Sequence, residues 1–362
     1  MISLYGFESF LLSKNSWLSN KEKIYKKKTG KIFDKRSLSE IYLDLNKTDN
    51  FTISIRPQQF LKKNKQLFPL SGISTSKTIL CNENGYYVIY NSDRFGFNNS
   101  DEEWNNYEFE YLIIGDSFAM GECVNTEDNI ASVLKKLTNK SVINLGQGGN
   151  GPLINYATLK EYITPNTNNI LWIYYEGNDL GDLKKEIKNK FLNRYLNDID
   201  FTQNLREKHD EIDILHNEIL HNEILNNMNK KFKFNIGELL RLNLTRSLIH
   251  SSILSQHNSQ NNFSPEFKKI INLANELAKK NKSELHFVYL PSYSRYKIKQ
   301  KYEYNKVKKF VSDLNINFID IKVDVFDKAD DPLSLFPFYI NGHYTVQGYE
   351  KIAEKIHEAT SN

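Results

Sequence analysis

The stretch Tyr111-Leu-Ile-Ile-Gly-Asp-Ser-Phe-Ala-Met-Gly121 decides how the chain is read. A short apolar run stops abruptly at Gly115-Asp116-Ser117, and a capped helical pattern begins near Thr126. An apolar run closed by turn residues reads as a buried strand that delivers a serine to its carboxyl end. In an open α/β sheet that edge is where ligands bind.

Outward from this stretch the rhythm is strand, helix, strand, helix. Thr126 can cap the first helix, with Glu127 and Asp128 favourable in its first turn. Ser141-Val-Ile-Asn-Leu145 is the next strand and runs into Gly146-Gln-Gly-Gly-Asn-Gly151. A helix opens at Pro152, and Asn169-Ile-Leu-Trp-Ile-Tyr-Tyr175 follows as an apolar strand ending in Glu176-Gly-Asn-Asp179. Strands that are apolar throughout are buried on both faces, as in a parallel sheet covered by helices. The pattern breaks between about 180 and 262, where Lys, Asn, Glu and His dominate and Leu215-His-Asn-Glu-Ile219 is repeated as Leu220-His-Asn-Glu-Ile224. We expect a mainly helical insertion over the strand edge there, a candidate lid, with His216 and His221 solvated rather than metal ligands. The rhythm resumes at Ser264-Pro265-Glu266, which open a helix to Lys280. Strand Leu285 to Leu290, a Lys-rich helix around Tyr296 to Leu314, strand Ile316 to Ile321 and a helix from Thr345 to about Glu358 complete the chain. Five strands in βαβ succession with right-handed crossovers give an α/β fold, a three-layer α/β/α sandwich on a five-stranded parallel sheet.

Residues 1–107 read differently, as an irregular β-containing cap laid against the main domain of 108–362. Phe51 to Arg56 alternates apolar and polar until Pro57 stops it, and Tyr86 to Tyr90 follows the turn pair Asn84-Gly85. Asn91 to Asn99 is a polar loop whose Arg94 is expected to pair with a local Asp.

Composition narrows the function. The 362 residues are 40% hydrophobic and 25% charged, which describes a globular protein. The 48 basic and 44 acidic residues nearly cancel and the basic ones are dispersed, so no nucleic-acid partner is implied. Two cysteines, Cys81 and Cys123, can form one bridge, although buried thiols are the favoured reading. No Cys/His spacing resembles a zinc site, so neither metal nor cofactor is expected. No apolar run of about eighteen residues exists, so no transmembrane segment is expected. Met1 to Trp17 lacks a basic leader and a long apolar core. As written the sequence predicts a cytoplasmic protein, or a periplasmic or membrane-associated one if the true start lies upstream.

Four loops are expected at the same sheet edge, each with a residue type that acyl transfer requires. Ser117 offers a hydroxyl that becomes a nucleophile once a base removes its proton. His343, just before the last helix, offers an imidazole suited to that task. Backbone N–H groups of Ser117 and of the Gly146–Gly149 turn, with the Asn178 amide, are candidate oxyanion donors. Losing one such donor typically costs about two to three powers of ten in rate.

Taken together, Gly115-Asp116-Ser117, Asn144-Leu-Gly-Gln-Gly-Gly149, Gly177-Asn178-Asp179 and the late His343 resemble the four blocks of the SGNH hydrolases, the GDSL-type esterase/lipase superfamily. The resemblance spans roughly 108–360 without the insertion. It implies a flavodoxin-like sandwich, Ser117 as nucleophile, Gly149 and Asn178 as oxyanion donors, and His343 as general base. The sequence departs from that pattern where an Asp is usual shortly before the His; Ile340 and Asn341 stand there. Asn341 can accept from the ring and orient it, but carries no charge to stabilise the imidazolium. In serine proteases the corresponding Asp→Asn change costs about four powers of ten. A backbone carbonyl, or Asp324, Asp327, Asp330 or Asp331, is the alternative partner, with Asp331 nearest.

The expected function is therefore a serine esterase, or an O-acyltransferase, moving a short acetyl-like group on a carbohydrate or other small hydroxylated substrate. Carbohydrate is favoured because Asn150, Asn155, Tyr174 and Tyr175 suggest a polar, aromatic entrance. SGNH relatives with an extra N-terminal segment, linked to bacterial polysaccharide modification, point the same way by analogy. The competing expectation is a carbohydrate-binding or accessory protein that keeps the fold with impaired catalysis, and Asn341 motivates it.

Overall fold

The computed structural model describes residues 16–63, 67–231 and 264–361. The N-terminal fifteen residues and 232–262 of the anticipated insertion lie outside the described residues. The chain enters through helices α1 (Ser16–Thr29) and α2 (Leu38–Leu45). Ser37 and Glu40 cap α2 reciprocally, satisfying donors that the first helical turn leaves open. A small sheet follows, made of β1 (Phe51–Ile53), β2 (Lys77–Ile79) and β3 (Ile89–Asn91). β1 pairs parallel to β2, and β2 antiparallel to β3. The strands are shorter than the sequence pattern indicates, and β2 is an additional one. In the polar loop after β3, Arg94 pairs with Asp101 as anticipated.

The large sheet comprises β4 (Phe109–Ile114), β5 (Val142–Asn144), β6 (Thr167–Tyr175), β7 (Glu284–Leu290) and β8 (Asn317–Asp320). All pairs are parallel, in the order β5-β4-β6-β7-β8. The chain leaves β4 for one side and returns to pair β6 on the other. The crevice at the end of β4 is therefore the topological switch point, where open α/β sheets bind ligands.

Side chains alternate between two cores. Leu112, Ile114, Ile170, Trp172, Leu285 and Phe287 face one; Tyr111, Ile113, Leu171, Ile173 and Val288 face the other. A buried side chain of this size contributes about 1.5–3 kcal/mol, so both faces must be covered. The short α3 (Ser117–Met120) follows β4 directly, and α4 (Ile130–Thr138) comes next. The cap of α4 is Asn129, whose side chain accepts from Ser132 N; Thr126 opens a separate short turn. α5 (Pro152–Tyr162) and the later helix at Pro265–Lys280 cover the first face, while α4 and the last helix, Val346–Thr360, cover the second.

Between β6 and β7 run α6 (Asp179–Glu186), α7 (Arg194–Asn197) and α8 (His209–Lys231). Leu183, Tyr195, Leu205, Ile212 and Leu220 join the first core, which also takes in Ile53, Ile55, Phe60 and Phe97 of the N-terminal segment. His216 corrects the sequence reading: it is fully buried against Phe60, and burial lowers its pKa to about 4. His221 is exposed as expected. Beyond 264 come α9 (Pro265–Lys280), α10 (Tyr293–Lys297), α11 (Tyr304–Asp313) and α12 (Val346–Thr360). The Lys-rich helix is thus two helices, interrupted at 298–303. Among the described residues no helix is long and apolar enough to cross a membrane.

Candidate active site

Ser117 stands at the switch point because β4 cannot continue past Gly115. That glycine adopts φ +157°, and a Cβ on it would lie 2.7 Å from Ala119 Cβ and 2.9 Å from the Ile173 carbonyl oxygen. The turn is sealed by Asp116, whose Oδ1 accepts from Phe118 N at 2.9 Å and starts α3. Ser117 is 7% exposed.

His343 reaches the serine from the far end of the chain. Its Nε2 lies 2.8 Å from Ser117 Oγ. Its Nδ1 lies 3.1 Å from Glu83 Oε1, and its backbone N–H donates to Glu83 Oε2 at 2.7 Å. An ionised carboxylate only accepts, so Nδ1 carries the hydrogen and Nε2 receives the serine hydroxyl. Gly342 makes room, since a Cβ there would lie 2.6 Å from Glu83 Oε2.

The group against Nδ1 is thus Glu83 of the N-terminal segment and not Asn341, which is exposed. Asp331 is turned away to cap a short helical turn through Leu333 N. Sequence reasoning missed Glu83 because it is remote in the chain. The signal lay in the cysteines, which form a disulfide rather than two thiols. Cys81 stands two residues before Glu83 and Cys123 six after Ser117, so the bridge ties the Glu83 loop to the segment that follows Ser117. A second tie is Phe338, in the left-handed region at φ +54°, whose ring meets Tyr25 and Phe33.

The glycine turn is held from both sides. Asn144 Oδ1 accepts from Gly146 N at 2.9 Å, and Asn144 Nδ2 donates to the Ala119 carbonyl at 2.8 Å. Asn99 of the N-terminal segment grips the backbone of Asn144 at both N–H and C=O. Gly149 has φ +77°, and a Cβ there would lie 3.2 Å from the Gln58 side chain. Arg56 and Glu122 flank Gly148, and Arg56 Nη2 donates to Glu122 Oε1 at 2.5 Å. Asn178 stands just before α6 without a capping hydrogen bond from its side chain, and its amide lies against Asp116. The four sequence blocks therefore do gather at the carboxyl edge of the sheet. Asn150, Asn155, Tyr174 and Tyr175 do not line an entrance: all four are buried, with Tyr175 stacked on Phe118.

Electrostatics follow from this crowding. Burial pushes His343 down, but the Glu83 hydrogen bond and the charges of Glu122, Glu83 and Asp116 outweigh it, leaving the pKa above 6.5. Burial raises Glu83, yet the His343 hydrogen bonds and charge with Lys21 hold it below 4.5. Burial raises Asp116 to about 6. Burial, and then the Asp116 charge, push Asp179 well up. Glu83, His343 and Cys123 place three metal-ligand atoms within 4.8 Å of one another. The sulfur is committed to the disulfide, which removes the thiolate such a site needs.

The class defined by these observations is a parallel α/β/α sandwich with a serine, histidine and carboxylate in hydrogen-bonded sequence at the switch point. Among solved structures, one it is similar to is a putative lipolytic protein of the G-D-S-L family from Desulfitobacterium hafniense DCB-2, at 16% identity and TM-score 0.39. That match covers 70% of this chain and 99% of the other. A G-D-S-L family member from Veillonella parvula DSM 2008 matches at 15% and 0.39, with coverage of 70% and 99%. An acetyl xylan esterase matches at 10% and 0.37, with coverage of 70% and 100%. No protein-family model matches the chain, and no curated protein does.

Proposed function

We propose that the protein is a serine esterase of SGNH type that hydrolyses a short acyl ester of a polar, hydroxylated alcohol. The observation that carries this reading is the aligned series Glu83, His343, Ser117, with contacts of 3.1 and 2.8 Å. In it, Ser117 Oγ attacks the ester carbonyl as His343 Nε2 takes the hydroxyl proton. The backbone N–H groups of Ser117 and Gly149, with the Asn178 amide, receive the oxyanion. The carbonyl re-forms, the C–O bond to the alcohol breaks, and Nε2 returns the proton to that oxygen. Water then repeats the sequence on the acyl-serine, releasing the carboxylic acid and restoring Ser117. Glu83 keeps Nδ1–H in place and balances the imidazolium.

Supporting a short acyl group, Ser117 is nearly covered and backed by Phe118 and Ala119. A cavity of about 510 Å³ bordered by Gln58, Gln59, Leu61, Lys62, Lys185, Lys188 and Asn189 lies beside the residue that faces Gly149; its walls are mostly carbon, with amide and ammonium groups to meet hydroxyls. A sugar ester fits that description, and a sugar hydroxyl in place of water would make the same site a transferase. The carboxylate at Nδ1 removes the main reason for favouring a binding protein with impaired catalysis.

The test is labelling by a fluorophosphonate together with release of acetate from short acetyl esters. Wild type is expected to label at Ser117, and Ser117→Ala to lose labelling and turnover together. Turnover surviving in Ser117→Ala would sink the nucleophile assignment. A folded wild type that neither labels nor hydrolyses any ester would sink the esterase.

A further inference from the structure

We propose that Glu122 is a second carboxylate for the His343 imidazole, acting at the nitrogen opposite Glu83, and that Arg56 sets how much of its charge the ring feels. The kinetic side of this rests on the esterase reading above, in which His343 is the base.

Glu122 lies on the turn after α3, five residues past Ser117, and its side chain is 3% exposed. Arg56 Nη2 occupies Oε1. Oε2 has no hydrogen-bond partner and lies 3.7 Å from His343 Nε2. Gly148 closes over the pair: a Cβ there would lie 2.9 Å from Glu122 Oε2 and 3.0 Å from Arg56 Nε. A buried carboxylate oxygen with no donor is costly unless positive charge faces it. Arg56 supplies such charge at Oε1, and the group that faces Oε2 is His343, which becomes positive once it holds the serine proton on Nε2.

The separation of 3.7 Å is too long for a hydrogen bond, so Glu122 does not orient the ring as Glu83 does. Its effect is one of charge in a water-poor setting, where Coulomb interactions are strong. Arg56 is half-exposed and offsets that charge from the solvent side. Without Arg56, the pair would place an uncompensated anion beside the glycine turn where an oxyanion must form.

The other groups facing His343 are accounted for. Glu83 sits on Nδ1, with Lys21 of α1 interacting with that carboxylate. Asp116 comes from the nucleophile turn. The Phe118 ring packs on the imidazole at 4.8 Å and brings no charge. Tyr349 of α12 lies among the same carboxylates; burial pushes its phenol well up, so it stays neutral.

The experiment follows the His343 ring by NMR titration in the full chain, and in parallel the acid limb of kcat/KM for 4-nitrophenyl acetate. Glu122→Gln is expected to lower both midpoints by about one pH unit, a tenfold change in the protonation constant. Arg56→Gln, which can still donate to Glu122 but carries no charge, is expected to raise them by about half a unit. Loosening of the fold would move both variants the same way; opposite shifts identify charge. Shifts of the same sign, or Glu122→Gln midpoints equal to wild type, overturn the proposal. If Glu122→Gln does not fold, the sign of the Arg56→Gln shift still decides. A wild type that titrates as expected yet hydrolyses no ester would overturn the esterase and leave this inference standing.

Discussion

The large parallel sheet and the N-terminal segment contribute to the site by different rules. The sheet presents Ser117, the Gly146–Gly149 turn and Asn178 at the ends of β4, β5 and β6, each placed by the strand that precedes it. The N-terminal segment has no such register. Its contributions, Glu83, Arg56 and Asn99, come from turns and strand ends, and each is held by a hydrogen bond across the joint. Periodic elements place chemistry by position in the chain, and irregular ones place it by individual contacts. The second kind is open to disruption at single points.

The largest effect expected from breaking the N-terminal contribution is at Glu83. Glu83→Gln should lower kcat/KM by about three to four powers of ten, as loss of the charged orienter does in serine proteases. A decrease below tenfold, measured on short acetyl esters, would return the whole of catalysis to the sheet. Next is the disulfide. It closes a loop of 42 residues, for which chain entropy gives about 4 kcal/mol of stabilisation. Denaturant unfolding of the Cys81→Ser/Cys123→Ser double variant should show most of that loss, with activity falling as Glu83 loses its tether.

The pH dependence is a third measurement, with opposing limbs. His343 is raised above 6.5, so the neutral base, and with it kcat/KM, should appear only as pH climbs through a midpoint above 6.5. Stability runs the other way. The His343 contribution is complete below 6.5 and is lost as pH rises through the folded value; the Glu83 contribution is present above 4.5 and is lost as pH falls through its depressed value. The pair should therefore stabilise most between 4.5 and 6.5, where activity is still climbing, and Glu83→Gln should flatten that difference in thermal melts. The smallest effect belongs to Asn341. Exposed and away from Nδ1, it should tolerate Asn341→Ala with kcat/KM within about twofold, the range of a surface substitution that touches nothing critical. A drop of about a hundredfold would restore it as an orienter.

How much of this was legible in the sequence follows the same division. The apolar run before Ser117, the glycine turn after Asn144 and the capped helix at Ser264-Pro265 each carry a local pattern, and the fold puts them where those patterns indicate. The absence of an Asp near His343 was also legible, but its consequence was not. Glu83 is separated from His343 by 260 residues, and no periodicity connects them. The misjudged residues have a common cause. Tyr174 and Tyr175 end a strand buried on both faces, and His216 fills space beside Phe60, so packing overrode the polarity of their side chains.

The separation of Glu83 from His343 has a consequence for how the molecule is made. Ser117 and His343 are themselves 226 residues apart, so the site consists of contacts among the most distant in sequence that the chain possesses. Such contacts carry the greatest loop-closure entropy and are slow to form. A refolding chain should regain its secondary structure, and then the environment of Trp172 inside the first core, before it regains the proposed esterase activity. Turnover would thus serve as a clock for the last event of folding, ticking only after the first quarter of the chain and its final helix have met across the sheet.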